Sequence, residues 1–447
     1  MPPIRTRDRD ALIQALRAGV VPRVGQQLIQ VGRSKEIEAL MGDMGRVGEG
    51  SAVFRLIIGE YGSGKTFFMN LVRAIALEKK LVVATADLNP DRRLHASSGQ
   101  ARSLYAELMR TLATRGKPDG GALPGMVERF VTDCGKDSAD GKPSERLLQQ
   151  RLEPLSELVG GYDFISVVQA YWRGFDTDNE TLKSNAVRWL RGEFATKTEA
   201  RAAINVRSII NDTSVYDYLK LFARFVRLMG YGGLLVCLDE LVNLFKLANT
   251  QARNANYEQI LRILNDVLQN PPDGFGILLG GTPEFLLDTR RGLYSYPALQ
   301  SRLAENRFAA GGLKDFTGPV LRLGSLSQEE FFVLLQKVRD LYASGGSTGA
   351  ALPDEALKAF MKHCQEKLGE GYFRTPRTQI VSFINLLAVL GQNPTARWQD
   401  LLSSVEIERD APPSTEEVQD KPAEPSATQV SSRTKPASDD EFATFKL

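Results

Sequence analysis

Apolar residues along this chain of 447 follow two rhythms. Short, nearly unbroken apolar runs occupy residues 53–58, 81–87, 234–238, 275–282 and 320–323. Each has the length of a strand, and an unbroken run is what a strand carries when both faces of its sheet are covered. Elsewhere apolar positions recur every three or four residues, the spacing of one helix face. Leu12, Ile13 and Leu16 mark such a helix over 9–18, and Ile37, Leu40 and Met41 mark another behind Ser34, a candidate N-cap. Strands alternating with helices predict a parallel α/β sheet. One interval breaks the alternation. Residues 99–230 show only helical spacing, as in Leu104, Leu108 and Leu112, or Leu219, Phe222, Phe225 and Val226, with loops at 116–125 and 135–143. A long helical insertion therefore separates the second strand from the third. From residue 327 the pattern is helical again, over 327–343, 353–367 and 376–391. Beyond about residue 408, Pro, Ser, Thr, Glu and Asp dominate, the composition of a disordered segment. The expected organisation is a helical lead-in at 1–48, an α/β domain at 49–324, a small helical domain at 325–405 and an acidic Pro/Ser-rich tail at 406–447. The tail ends in acids and two aromatics, and reads as a solvated tail or as a docking peptide for a partner.

The first strand runs into Gly59, Glu60, Tyr61, Gly62, Ser63, Gly64, Lys65 and Thr66, and a helix-length run without Gly or Pro follows. This is the phosphate-binding pattern G-x-x-x-x-G-K-[ST] in the strand–loop–helix setting that gives it meaning. Loop N–H groups and the helix N-terminus can converge on phosphate oxygens. Lys65 can reach the β- and γ-phosphates, and Thr66 can offer a hydroxyl to Mg²⁺. The third strand ends in Asp239 and Glu240. There Asp239 can hold the Mg²⁺ water shell beside Thr66, and Glu240 can orient and deprotonate an attacking water. Thr282, past the fourth strand, is either a hydroxyl near the γ-phosphate or a turn residue before Pro283. Arg302 is the first choice for an arginine acting on the phosphates of a neighbouring subunit, with Arg290 and Arg291 behind it. Arg377, with Arg374 as the competitor, could reach the nucleotide from the small helical domain.

Composition narrows the classes. The chain is 43% hydrophobic and 25% charged with a net charge of +2, as expected for a globular protein rather than a DNA-coating one. Basic residues such as Arg92, Arg93, Lys183, Arg188 and Arg191 remain candidates for a local DNA contact. Three scattered cysteines and two histidines give neither a disulfide framework nor a zinc site. The N-terminus has no apolar signal core and no run approaches a membrane span, so a cytoplasmic protein is expected.

With these residues in place, the chain resembles the AAA+ ATPases, within the branch related to origin-recognition and helicase-loading proteins. The matching residues are Val31, Gly32 and Arg33, residues 59–66 and 234–240, Thr282, Ser301 with Arg302, and Arg377, in the order that family uses. More narrowly, Gly19, Val20, Val21 and Pro22, followed by Val31, Gly32, Arg33 and the phosphate loop, resemble the ATP-binding proteins of bacterial phage-exclusion systems of the BREX type. So does the stretch Tyr372, Phe373, Arg374, Thr375, Pro376, Arg377. The resemblance implies a P-loop fold with a five-stranded parallel sheet in the order 5-1-4-3-2 and a helical lid. It places Val31, Gly32 and Arg33 near the adenine, makes Arg302 a finger across a subunit interface, and makes Arg377 a lid sensor. It also implies ATP between protomers of a homo-oligomer, with other defence proteins and DNA as partners. The chain departs from the family in its long insertion and in having Thr282 where many members have Asn.

The expected function is an Mg²⁺-dependent ATPase that couples ATP binding and hydrolysis to assembly or remodelling of a protein–DNA complex in antiphage defence. The alternative is a slowly hydrolysing, nucleotide-gated switch that recruits protein partners without acting on DNA. A DNA motor is the weakest reading, because no helicase or nuclease signature accompanies the nucleotide motifs.

Overall fold

The apolar runs form five strands: β1 Val53–Ile58, β2 Val82–Asp87, β3 Leu234–Asp239, β4 Phe275–Gly281 and β5 Val320–Arg322. All pair in parallel, in the order β2-β3-β4-β1-β5. Read from the other edge, this is the order that the resemblance implies. The computed structural model describes residues 5–136, 144–309, 314–345, 352–369, 372–374, 376–393 and 395–402. The tail at 406–447 and most of the loop at 135–143 lie outside the described residues.

Alternate residues of each strand enter different cores, as the pleat requires. Val53, Ile57, Val83, Leu235, Cys237, Leu278 and Leu321 pack against helices α3 (Ser34–Gly48) and α4 (Lys65–Glu78). Phe54, Leu56, Ile58, Val82, Ala84, Val236, Leu238, Ile277 and Leu279 face the other way and join one large cluster with the insertion. Its centre is aromatic: Phe164 meets the rings of Phe225 at 5.0 Å and Trp189 at 6.4 Å, both edge-on. The insertion is thus a covering layer of the sheet. A third cluster joins the C-terminal helices Gln328–Ala343, Asp354–Leu368 and Pro376–Gln392. Leu12 and Leu16 of α1 (Thr6–Arg17) and Leu28 and Ile29 of α2 (Gln26–Ile29) belong to that cluster. The described part of the lead-in, residues 5–48, therefore divides between two cores, with α1 and α2 on the C-terminal helices and α3 on the sheet.

One buried ion pair anchors the phosphate-loop strand. Arg55 of β1 meets Asp43 of α3 through Nε–Oδ2 at 2.6 Å and Nη2–Oδ1 at 3.1 Å, with both side chains 5% exposed. The N-cap expected at Ser34 is displaced by one residue. Ser34 is already helical, and Arg33 caps the helix by its backbone at φ 58°, without a side-chain bond to it. The three cysteines are buried and form no disulfide among the described residues. Among the described residues no helix is long and apolar enough to cross a membrane.

Candidate functional site

β1 delivers the chain to residues 59–66 at the carboxyl edge of the sheet. Gly62 and Gly64 lie at φ 73° and 82°, where a side chain would be strained. Gly59 has ordinary φ, but a Cβ on it would stand 2.7 Å from Ser63 Oγ. The loop's tightness therefore depends on glycine at three positions. Gly64 leads into α4, so the helix N-terminus opens on the loop. The Ser63 Oγ is buried with no hydrogen-bond partner among the described residues. A glycine loop at a helix N-terminus, closed by a buried hydroxyl, suits a bound anion.

The acids of β3 arrive from two strands away. Thr66 Oγ1 donates to Asp239 Oδ2 at 2.8 Å, and Lys65 Nζ lies 4.0 Å from Asp239 Oδ1. β4 runs between β1 and β3, and the contact crosses it at Gly280. A Cβ there would collide with Asp239 Oδ1 and stand 2.8 Å from Met69 Sδ. Sequence reading took 280–281 only as a glycine-rich strand end; the register pairing Leu238 with Leu279 shows why the next residue must be small. Thr66 and Asp239 bring two hard oxygen donors together, a set that suits Mg²⁺.

Glu240 adopts φ 60°, left-handed backbone in a non-glycine residue. Half-buried in the cleft, its carboxyl is pushed above the usual range by burial and then by Asp239, with Lys65 opposing. Asp87 ends β2 in register with Asp239. Desolvation and then Asp239 raise its carboxyl too. Sequence reading used Asp87 only as a strand terminus; its acid type was the signal.

A cleft of about 450 Å³ opens above the loop. Residues 60–66 and Glu240 form one end. Leu16, Val20, Val21, Pro22, Ile29 and Val31 meet Phe67, Leu326, Leu334 and Ile380 at the other. Gly19 permits the turn at φ 66°; a Cβ on it would stand 3.3 Å from Arg377 Nε. A polar end for phosphates and an apolar end for a flat ring system make a nucleotide-shaped site.

The remaining candidates fall in different places. Val31 lines the apolar end, while the Arg33 guanidinium turns to the carbonyls of the phosphate loop. Gly32, at φ 62°, lies against the Glu330 carboxylate. Arg377 is exposed and borders the cleft. Thr282 caps the helix Pro283–Leu287, its hydroxyl accepting the Phe285 N–H at 3.4 Å, and it is not among the cleft-lining residues. Arg302 ends the helix Pro297–Arg302 on the surface, with Nη1 donating to its own Ala298 carbonyl at 3.1 Å. The basic residues considered for DNA are engaged or covered. Arg92, Lys183, Arg188 and Arg191 lie 3.3, 2.7, 3.0 and 3.8 Å from Glu107, Glu180, Glu199 and Glu193, and Arg93 is buried.

Residues 4–406 match one family model, described as BREX system ATP-binding protein BrxC/D. No curated protein matches the chain.

Proposed function

The chain belongs to the family of BREX system ATP-binding proteins BrxC/D, and from that premise we propose that its cleft binds ATP with Mg²⁺ and hydrolyses it in the manner of an AAA+ ATPase. The observation that carries the reading is the 2.8 Å Thr66–Asp239 contact beside the glycine cradle. It unites the two halves of a nucleotide site from positions 173 residues apart. The strand order supports the same reading.

In this proposal the loop N–H groups and Lys65 hold the β- and γ-phosphates, and the apolar end takes the adenine. Thr66 and Asp239 would hold Mg²⁺, which would supply charge neutralisation at the phosphate oxygens. Glu240 accepts a proton from water as its oxygen bonds to the γ-phosphorus; the bond from that phosphorus to the bridging oxygen breaks, and ADP leaves. Arg377 borders the cleft from the C-terminal helices. Arg302, exposed outside this copy's cleft, serves a neighbouring copy in a homo-oligomer. Thr282 is accounted for as a cap.

The position of Arg302 favours a second reading beside the first. Among the described residues, Arg33 and Arg377 are the arginines lining the cleft, and Arg33 is engaged with the loop. A single copy is then suited to hold ATP and turn it over slowly, as a switch that recruits other defence proteins. The pairing of Lys183, Arg188 and Arg191 with neighbouring acids supports protein partners over DNA for the insertion. ATP turnover and molecular mass, measured with and without ATP for wild type and Arg302→Ala, test both. Turnover that rises with assembly and collapses in Arg302→Ala supports the ATPase. ATP-dependent assembly with slow turnover in both supports the switch. Absence of ATP binding contradicts both.

A further inference from the structure

The backbone of Arg33 lies at φ 58°, uncommon for a residue with a side chain. The turn sends its guanidinium to the carbonyls of the phosphate loop. Nη1 donates to the Gly64 carbonyl at 3.3 Å and Nη2 to the Ser63 carbonyl. Nη2 also donates to the Gly324 carbonyl at 3.2 Å. Gly324 stands between β5 and the helix Gln328–Ala343, where the chain leaves the sheet for the C-terminal helices. The ring of Phe68, on α4, lies 6.0 Å from the guanidinium carbon. Burial works against the Arg33 charge, and Glu36 and Glu330 support it.

Peptide geometry turns these contacts into a consequence. A trans peptide unit is planar, and its C=O and N–H point in opposite directions. Holding the Ser63 carbonyl at Arg33, and the Gly64 carbonyl at Arg33 together with the Phe68 N–H of α4 at 3.0 Å, therefore aims the N–H groups of Gly64 and Lys65 away from Arg33. Those two groups share peptide planes with the braced carbonyls and belong to the anion cradle. A cation at the loop carbonyls thus helps prepare the donors on the other side of those peptide planes, before any phosphate arrives.

We infer that Arg33, although it borders the cleft, acts as a positioning residue rather than as a nucleotide ligand: it braces the phosphate loop through its carbonyls and ties it to the segment from which the C-terminal helices depart. The inference rests on the ATP-binding reading above and adds to it the source of the loop's rigidity. It also gives the C-terminal helices a direct line to the phosphate cradle through the Gly324 carbonyl.

The test separates phosphate from base. ATP and tripolyphosphate, which has neither base nor sugar, are each competed against a fluorescent ATP analogue with magnesium, using the full chain as wild type, Arg33→Ala and Arg33→Lys. The expected result is that Arg33→Ala weakens both ligands by the same factor, about tenfold or more, the scale of a lost charge-assisted hydrogen bond. Arg33→Lys, whose ammonium can still reach one carbonyl, restores part of both. Loss of ATP with tripolyphosphate unaffected overturns the inference, since that is the mark of a base or ribose contact. Unchanged affinity for both overturns it too, as does a wild type that takes ATP but no tripolyphosphate. A wild type that binds neither ligand contradicts the ATP reading itself. Where Arg33→Ala melts below the assay temperature, the ratio of the two losses in Arg33→Lys decides in the same way.

Discussion

The two ends of the cleft are built in opposite ways. The phosphate end is one short stretch of chain, residues 59–66, resting on the strands of a sheet with covered faces. Its strand is pinned to α3 by a buried ion pair, and its acid reaches it through a gap left by one glycine. The base end has no such foundation. It is assembled from residues 16–31 and from the C-terminal helices, segments more than 300 positions apart that share their own core. The phosphate end has the makings of a fixed template. The base end belongs to a helical unit that joins the sheet through few covalent links, so a nucleotide bound across both ends would hold the two units together. Multi-part sites of this kind couple ligand binding to the relative position of their parts.

Changes at the phosphate end should have the largest effects and leave base preference alone. Glu240→Gln is expected to lower ATP turnover by about 10²- to 10⁴-fold, the usual weight of a general base, with ATP affinity retained. The wild-type pH profile sharpens this. Because the Glu240 carboxyl titrates above the ordinary glutamate range, its basic form is lost earlier as pH falls, so the acid limb of turnover should stand higher than a free glutamate would put it. The linked effect on stability has the opposite sense. A group with a raised folded-state pKa favours the fold at low pH and disfavours it as pH rises through that value, so Glu240→Gln should gain stability chiefly on the alkaline side. Turnover unchanged in the variant removes Glu240 from the mechanism.

Asp43→Ala tests the foundation of that end. It leaves Arg55 buried in β1 without its carboxylate, and breaking such a pair costs about 3–5 kcal/mol. A denaturant midpoint unchanged from wild type would mean that the pair does not anchor the strand. Gly280→Ala tests the gap. Crowding a packed site costs about 1–3 kcal/mol, and here the cost falls on Asp239 and Met69. The magnesium concentration needed for half-maximal turnover should rise, while metal-free nucleotide binding stays near wild type. An unchanged magnesium requirement argues that Asp239 does not depend on that space.

The base end should respond more mildly and in a different currency. Ile380→Ala removes apolar surface from the cleft wall. Burial of a few methylene groups is worth about 1–2 kcal/mol, so ATP should weaken by about five- to thirtyfold while tripolyphosphate binds as before. Equal weakening of the two ligands would erase the distinction between the ends.

The same contrast explains what could be read in the chain. Strands and the phosphate loop were legible because their signals are local: unbroken apolar runs, and glycine, lysine and threonine at fixed spacing. Asp239 and Glu240 were legible because acids at the end of an apolar strand have few structural reasons to be there. Gly280 was not, since its need arises from a carboxylate on the adjacent strand. The reach of Arg33 was hidden by a left-handed turn, which carries its guanidinium to carbonyls thirty positions on. Ser34 is displaced as a cap by the same turn. The apolar end of the cleft could not be separated from ordinary core, because Leu16, Leu334 and Ile380 have the helical spacing of any packed face. Thr282 shows the converse case, where a hydroxyl beside a strand end serves the local backbone.

The central claim is that the loop at 59–66 and the end of β3 form one site for the phosphates of ATP and their metal. Calorimetric titration of ATP into the wild type and Lys65→Ala, each with and without magnesium, tests it most directly. The account predicts magnesium-dependent binding to the wild type and a loss of about tenfold to a hundredfold in the folded Lys65→Ala variant, the range for removing a charged partner. ATP binding equally tight in Lys65→Ala, or absent from the wild type, would contradict it.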